Sequence, residues 1–223
     1  MARRKITLGL LPIAASVASR PAGLEDDPGI ERILDAAAEL LATYGLKRWS
    51  MDDVAELAGI GRTSVYRAFA ARDDLVHAVL ARELRLTLTA IDVAGASYPR
   101  LEDQIVEGAI VAFAALRGSL VERLLRSDPA TLLPFLTTGA GPLIALTRQL
   151  IVGHARSANT ELDDLQATEI GEIAEIAARL GLSFVLTRET VFPIDEPDQL
   201  RDSLHRLLSP LLRPLTKDHR RPA

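Results

Sequence analysis

The sequence predicts an all-α protein of about nine helices, with a small three-helix helix-turn-helix unit ahead of a larger helical body. Three observations carry this. Apolar residues make up 48% of the 223, enough for a sizeable core, while aromatics are only 4%, so that core is mainly Leu, Ile, Val and Ala. Ala and Leu favour helix, and the alternating Val/Ile/Tyr-rich runs of strands are missing. Glycine and proline fall mostly between stretches of helical apolar period, where breakers belong.

The elements follow in order. Asp27 or Pro28 suits the start of a first helix, whose apolar residues Ile30, Ile33, Leu34, Ala37, Leu40 and Leu41 recur at helical spacing; Gly45, after Tyr44, suits its end. Ser50 opens a second helix with Asp53 three residues on, a capping pattern that also sets acid at the positive end of the dipole. Gly59 stops it, and Arg62 to Phe69 is a short third helix. Asp73 and Asp74 open a fourth that runs to about Val93. Beyond Gly95 to Pro99 come Leu101 to Leu116, strongly apolar, and Ser119 to Arg126, short and amphipathic. Pro129, Pro134, Gly139, Gly141 and Pro142 then break the chain, and no helix is expected across them. Leu143 to Ala155, Leu162 to Leu186 and Gln199 to Leu212 complete the count, the last two separated by a turn at Pro193 to Pro197.

Composition excludes several functions. Cysteine is absent, which removes disulfides, thiolate metal sites and Cys nucleophiles and fits a reducing cytoplasm, the expected location. The histidines His77, His154, His205 and His219 occupy no metal-binding spacing, and no Ser nucleophile elbow occurs, so no enzyme activity, metal or cofactor is expected. Net charge is −4, so any nucleic-acid affinity must be local. The first residues hold two readings. Arg3, Arg4 and Lys5 before the apolar Ile6 to Ala18 mimic a secretory signal. Gly9 and Pro12 interrupt that run and favour an N-terminal arm. The rival reading is an exported helical small-molecule-binding protein with residues 1–18 as its signal.

The informative stretch is Ser50 to Phe69, S-M-D-D-V-A-E-L-A-G-I-G-R-T-S-V-Y-R-A-F. Two short helices crossing steeply around a tight turn need a small residue at the crossing, Ala55, and a residue tolerant of positive φ in the turn, Gly59. Val54, Ala58, Ile60 and Val65 seal the contact and Phe69 plugs the base. What remains on the outer face of the third helix is Arg62, Thr63, Ser64, Tyr66 and Arg67. From Ile60 to Arg72 there are three arginines and no acid. Guanidinium groups can bind guanine in a bidentate way, and hydroxyls suit phosphates or base edges. Lys47, Arg48 and Ser50 flank the start of the second helix, whose N–H groups favour phosphate. Arg72 could clamp another.

Ile30 to Glu83 resembles the DNA-binding domain of the TetR family, through Ala55-x-x-Ala58-Gly59-Ile60, Val65-Tyr66-x-x-Phe69 and Arg72-Asp73-Asp74-Leu75. The resemblance implies a homodimeric regulator, by default a repressor, that binds a palindromic operator in double-stranded DNA and is released by a small ligand. It implies phosphate contacts at Ser50 and Tyr66, groove-facing Arg62, Thr63 and Arg67, and a backbone contact at Arg72, where the family commonly has Lys. Gly61 departs from the family's usual Ser cap. The arm is longer than typical, and Arg3, Arg4 and Lys5 are candidates for the minor groove.

The expected organisation is an arm (1–24), a DNA-binding domain (25–72) and a ligand-binding and dimerisation domain (73–223). Apolar helices broken by Pro and Gly suit a cavity for a small hydrophobic effector. Its candidate lining is Phe113, Leu116, Leu120, Leu124, Phe135, Thr138, Leu143 and Thr147, with Gln104 or Arg123 as polar anchor. An ordinary packed core is the alternative for each. Ile170, Ile173, Ala177, Leu180, Leu207 and Leu211 on the last two helices exceed what one core stripe needs and are the candidate homodimer surface; in TetR-like proteins these helices form a four-helix bundle between subunits.

Overall fold

The computed structural model describes residues 27–158, 162–187 and 189–216. The arm expected over residues 1–24 lies outside them. Among the described residues there are ten helices and no strand. They are α1 (Pro28–Tyr44), α2 (Met51–Ala58), α3 (Arg62–Ala68), α4 (Arg72–Ala96), α5 (Leu101–Leu116), α6 (Leu120–Ser127), α7 (Pro129–Leu136), α8 (Gly141–Ala158), α9 (Asp164–Leu186) and α10 (Pro197–Thr216). All nine expected helices form. The tenth, α7, sits where the prolines argued for a break. Pro129 occupies the first helical turn, where a missing N–H is harmless, and the Thr131 hydroxyl donates to Asp128 at 2.9 Å. Pro134 lies inside a helix of only 8 residues.

Local chemistry sets the helix ends. Asp27 accepts from the Gly29 N–H at 2.7 Å, with Pro28 at the first helical position of α1. Gly45 ends that helix at φ 68°, ψ −161°, a conformation essentially reserved for glycine. Asp74 of α4 accepts from the Ala71 N–H at 3.1 Å. Ser119 accepts from the Glu122 N–H at 3.1 Å and opens α6. Asp163 and Gln166 form a reciprocal capping box at the start of α9.

The helices form two compact units. Of the described residues, the first combines those up to Leu86 with Gly118–Leu143, and the second combines Thr87–Arg117 with those from Ile144 onward, so α4 and α8 each contain a boundary. These units do not follow the chain division at residue 72. In the first unit α1 packs on α2 and on α6. Ile33, Leu34, Ala37, Leu41, Val54, Val65, Leu75, Val76 and Val79 are buried there, joined by Leu120 and Leu124. In the second unit α5 packs on α10. Its core holds Val106, Leu200 and Leu204, with Ala109, Ile110, Phe113, Phe192, Ile194 and Leu208 against it. No single helix among the described residues is long and apolar enough to cross a membrane.

Candidate nucleic-acid interface

The site is built on α2, the turn after it, and α3. Ser50 and Asp53 cap α2 reciprocally: the Asp53 N–H donates to Ser50 Oγ at 3.3 Å, and the Ser50 N–H donates to Asp53 Oδ2 at 2.7 Å. The Ser50 hydroxyl also donates to Asp53 Oδ2 at 2.8 Å. Ser50 is exposed, but its N–H and hydroxyl are thus engaged within the cap. Gly59 ends α2 in the left-handed region at φ 63°, ψ 37° and donates back to Ala55 and Glu56 carbonyls. That reversal brings α3 across α2. Ala55 and Ala58 are small and buried, Val54 and Val65 are fully buried, and Phe69 is buried beneath α3. Gly61 caps α3 with no side-chain bond.

Burial of Val65 leaves the opposite face of α3 to solvent. Arg62, Thr63, Tyr66 and Arg67 are exposed and Ser64 is half-buried. Arg67 enters no ion pair among the described residues. Arg62 does: its Nη1 lies 3.0 Å from Asp52 Oδ2, an acid of the first turn of α2. The face is acid-free along α3 itself, as its sequence requires, but a carboxylate reaches it from the neighbouring helix.

The flanking cations are placed differently from one another. Arg48 is exposed at the rim of an open cavity of ≈ 440 Å³ lined by Leu40, Tyr44, Arg48, Trp49, Asp53, Glu56 and Leu57. Lys47 pairs with Asp128, its Nζ 3.1 Å from the carboxylate, at the corner between α6 and α7. Arg72, expected to reach outward to a phosphate, is instead half-buried. Its Nη2 donates to the Leu46 carbonyl at 2.5 Å and its guanidinium lies 4.2 Å from the Trp49 ring centre. Arg72 is the first residue of α4, and from there its side chain reaches the Leu46 carbonyl and the Trp49 ring.

The residues expected to line one ligand cavity are divided between the two compact units. Gln104, Phe113, Leu116 and Thr147 belong to the second, and Leu120, Arg123, Leu124, Phe135, Thr138 and Leu143 to the first. Leu120 and Leu124, at 2% and 0% exposure, are core residues of the first unit, because the amphipathic α6 turns its apolar stripe inward and packs on α1. Arg123 and Thr138 are exposed, and Phe135, Leu143, Leu116 and Thr147 half-buried. The Gln104 amide donates to the Tyr98 carbonyl at 2.8 Å, which ties it to the turn before α5. Phe113 joins a three-ring cluster, edge-on to Phe184 at 5.2 Å between centroids, with Phe184 in turn 5.9 Å from Phe192.

On α9 one face is inward: Ala167, Ile170, Gly171 and Ala174 are buried. Ile170, expected on a subunit surface, is therefore in the unit's own core. Beside that face lie Ile173, half-buried, and exposed Ile176 and Leu180, while Ala177, two turns on from Ile170, is exposed at its edge. Leu207 of α10 is also exposed, while the side chain of Leu211 lies outside the described residues. Ile176, 58% exposed, is the surface residue that sequence reasoning missed; at 100° per residue it lies on the Ile173–Leu180 stripe and not on the Ile170 face. Trp49, Asp52 and Asp128 were also missed, since their partners are set by tertiary placement.

A reversed pair of short helices with a buried inner seam and a cationic, hydroxyl-bearing outer face defines a helix-turn-helix nucleic-acid-binding protein. Residues 33–79 match the family model described as bacterial regulatory proteins, tetR family, and residues 103–210 match the bacterial tetracyclin repressor C-terminal domain. The structure is similar to the crystal structure of the TetR family repressor AlkX from Dietzia sp. strain DQ12-45-1b, implicated in biodegradation of n-alkanes. The TM-score is 0.62 at 25% identity, over 83% of this chain and 98% of that one. No curated protein matches the sequence. The chain belongs to the TetR family of transcriptional regulators.

Proposed function

We propose that this TetR-family protein is a homodimeric repressor that reads a palindromic operator with α3 and leaves it when a small apolar effector binds. The observation that carries the DNA reading is the exposed Arg62-Thr63-Tyr66-Arg67 face, held on a buried seam by the left-handed turn at Gly59. Guanidinium and hydroxyl groups on the outer face of a second helix are the chemistry that reads major-groove edges and phosphates. The exposed Ile176-Ala177-Leu180 stripe supports an isologous dimer, which presents two such faces to a two-fold site.

An apolar effector is supported by the aliphatic composition of the second unit and its Phe113-Phe184-Phe192 cluster. The similar solved structure is of a repressor implicated in n-alkane biodegradation, which makes aliphatic compounds the first class to try. An effector shifts operator release only by binding the released state more tightly than the bound one.

The test is selection of DNA from a random duplex pool, followed by anisotropy titration of the selected site and of random duplex over a salt series. Enrichment of an inverted repeat supports the reading, and recovery of no sequence overturns it. Arg67→Ala should weaken operator binding by about fivefold or more, the lower end of about 1–3 kcal/mol for a base-reading contact. Titrating n-alkanes and aliphatic acids into the complex tests release.

A further inference from the structure

Of the cations expected on the reading face, Arg62 is the one held by a carboxylate from the other helix of the motif. We propose that Asp52 is a positioning residue for base readout: it holds the Arg62 guanidinium by one nitrogen and reserves it for a base edge in preference to a phosphate. The proposal rests on the reading of α3 as the DNA-reading helix.

The geometry is specific. Arg62 is the first residue of α3 and Asp52 lies in the first turn of α2. The pair meets at 3.0 Å through Nη1 and Oδ2, with side-chain exposures of 71% and 40%, so it stands at the surface DNA would approach. The other first-turn acid, Asp53, is engaged with Ser50 in the cap, which leaves Asp52 as the acid facing α3.

Two consequences follow. A long, exposed arginine samples many rotamers, and a carboxylate at one end of its fork narrows them before DNA arrives. The pair uses Nη1 and leaves the Nη2–Nε edge out of the contact, and that edge carries two parallel N–H groups that match guanine O6 and N7. The carboxylate also sorts its targets by charge. A phosphate approaching Arg62 meets Asp52 as a like charge, whereas a neutral base edge does not. Asp52 therefore weakens sequence-independent contact at this position more than sequence-dependent contact. Arg67, on the same helix without an ion-pair partner among the described residues, has no such filter.

The experiment measures operator and random-duplex affinity over a salt series for the wild type, Asp52→Asn, Arg62→Ala and the double variant. Asn preserves size and leaves the Ser50–Asp53 cap intact, and helical circular dichroism checks the fold. Asp52→Asn is expected to tighten random-duplex binding about two- to fivefold and to steepen its salt slope by about 0.9, one added phosphate contact. Operator-to-random discrimination should fall. In the Arg62→Ala background, Asp52→Asn should leave discrimination unchanged, because the group it positions is gone. A carboxylate acting only on the helix dipole would shift both DNAs equally in both backgrounds. Unchanged discrimination in Asp52→Asn, or an equal change with and without Arg62, overturns the proposal. If the wild type itself selects no sequence, the DNA reading beneath it fails instead.

Discussion

The guanidinium of Arg72 lies 4.2 Å over the indole of Trp49, and its Nη2 donates to the Leu46 carbonyl. Trp49 Nε1 donates in turn to the Gly45 carbonyl at 2.9 Å. The first residue of α4 thus fastens both ends of the loop that delivers Ser50 to the start of α2. Arg72→Ala is expected to destabilise the first unit by about 1–3 kcal/mol, from the lost cation–π contact and a hydrogen bond to a charged donor. Arg72→Lys should recover little of it, because an ammonium has neither the planar fork nor the stacking face. Trp49 is the single tryptophan, so its fluorescence in a urea melt reports this lock directly. Full stability in Arg72→Lys would return Arg72 to a simple charge role.

The two positive-φ glycines flanking this loop and α2 differ in what surrounds them. A Cβ at Gly59 would meet nothing within 4 Å, so Gly59→Ala bears only the left-handed backbone penalty of about 1–2 kcal/mol. A Cβ at Gly45 would lie 3.2 Å from Ser127 Oγ, and ψ −161° takes that residue outside the left-handed well. Gly45→Ala should therefore lower the melting midpoint more than Gly59→Ala, a ranking that paired denaturant melts check.

Lys47 is drawn back by Asp128, whose carboxylate also accepts from Thr131. Asp128→Ala releases Lys47 for phosphate contact. Random-duplex binding should tighten and its salt slope steepen by about 0.9. Stability should fall by about 1 kcal/mol as the Thr131 hydroxyl loses its acceptor. Lys47→Ala should abolish the gain in binding and keep the loss in stability; anisotropy titrations and thermal melts separate the two.

In the second unit Arg201 grips Glu107 with both ends of its fork, Nε to Oε1 at 2.5 Å and Nη2 to Oε2 at 3.1 Å, closing α10 on α5. The Arg201 hydrogen bonds hold the Glu107 carboxyl below the usual value of 4.5. Ser209 and His205, then Arg100, do the same for Glu102. A depressed folded-state value gives stability that is complete above pH 4.5 and is lost as pH falls through the lower folded value. The melting temperature should drop as pH is taken below that point. Glu107→Gln should flatten part of this drop and lose about 1–2 kcal/mol at pH 7, between the exposed and buried limits for such pairs.

Ile176 and Leu180 stand one turn apart on the outer face of α9, 58% and 54% exposed. A glutamate at either position puts a charge into the surface proposed for the partner. Ile176→Glu should give a monomer in light-scattering chromatography with unchanged helicity, and weaken operator binding by more than tenfold through loss of the second reading head. Ile170→Glu should instead unfold the unit, because that side chain is inside it.

The helix-turn-helix was legible because its signals are local. Ser50 and Asp53 cap each other three residues apart, Gly59 supplies the positive φ of the turn, and the period of Val54, Ala58 and Val65 sets the seam; each depends on neighbours within one or two turns. The outer face of α3 followed by subtraction. The tenth helix was hidden because proline reads as a breaker, although in the first turn of a helix it is harmless.

By itself, then, the sequence determined the all-helical class, the reading motif and the family, through patterns that neighbouring residues enforce whatever surrounds them. Tertiary structure alone decided which cations face outward. Arg72 turns to Trp49, Lys47 to an acid 81 residues away, and Arg62 to Asp52 across the turn. It also decided that α6 buries Leu120 and Leu124 against α1, and that α9 hides Ile170 while presenting Ile176. A charge or an apolar side chain takes its role from whatever the fold brings within a few ångströms of it, and spacing along the chain does not record that distance.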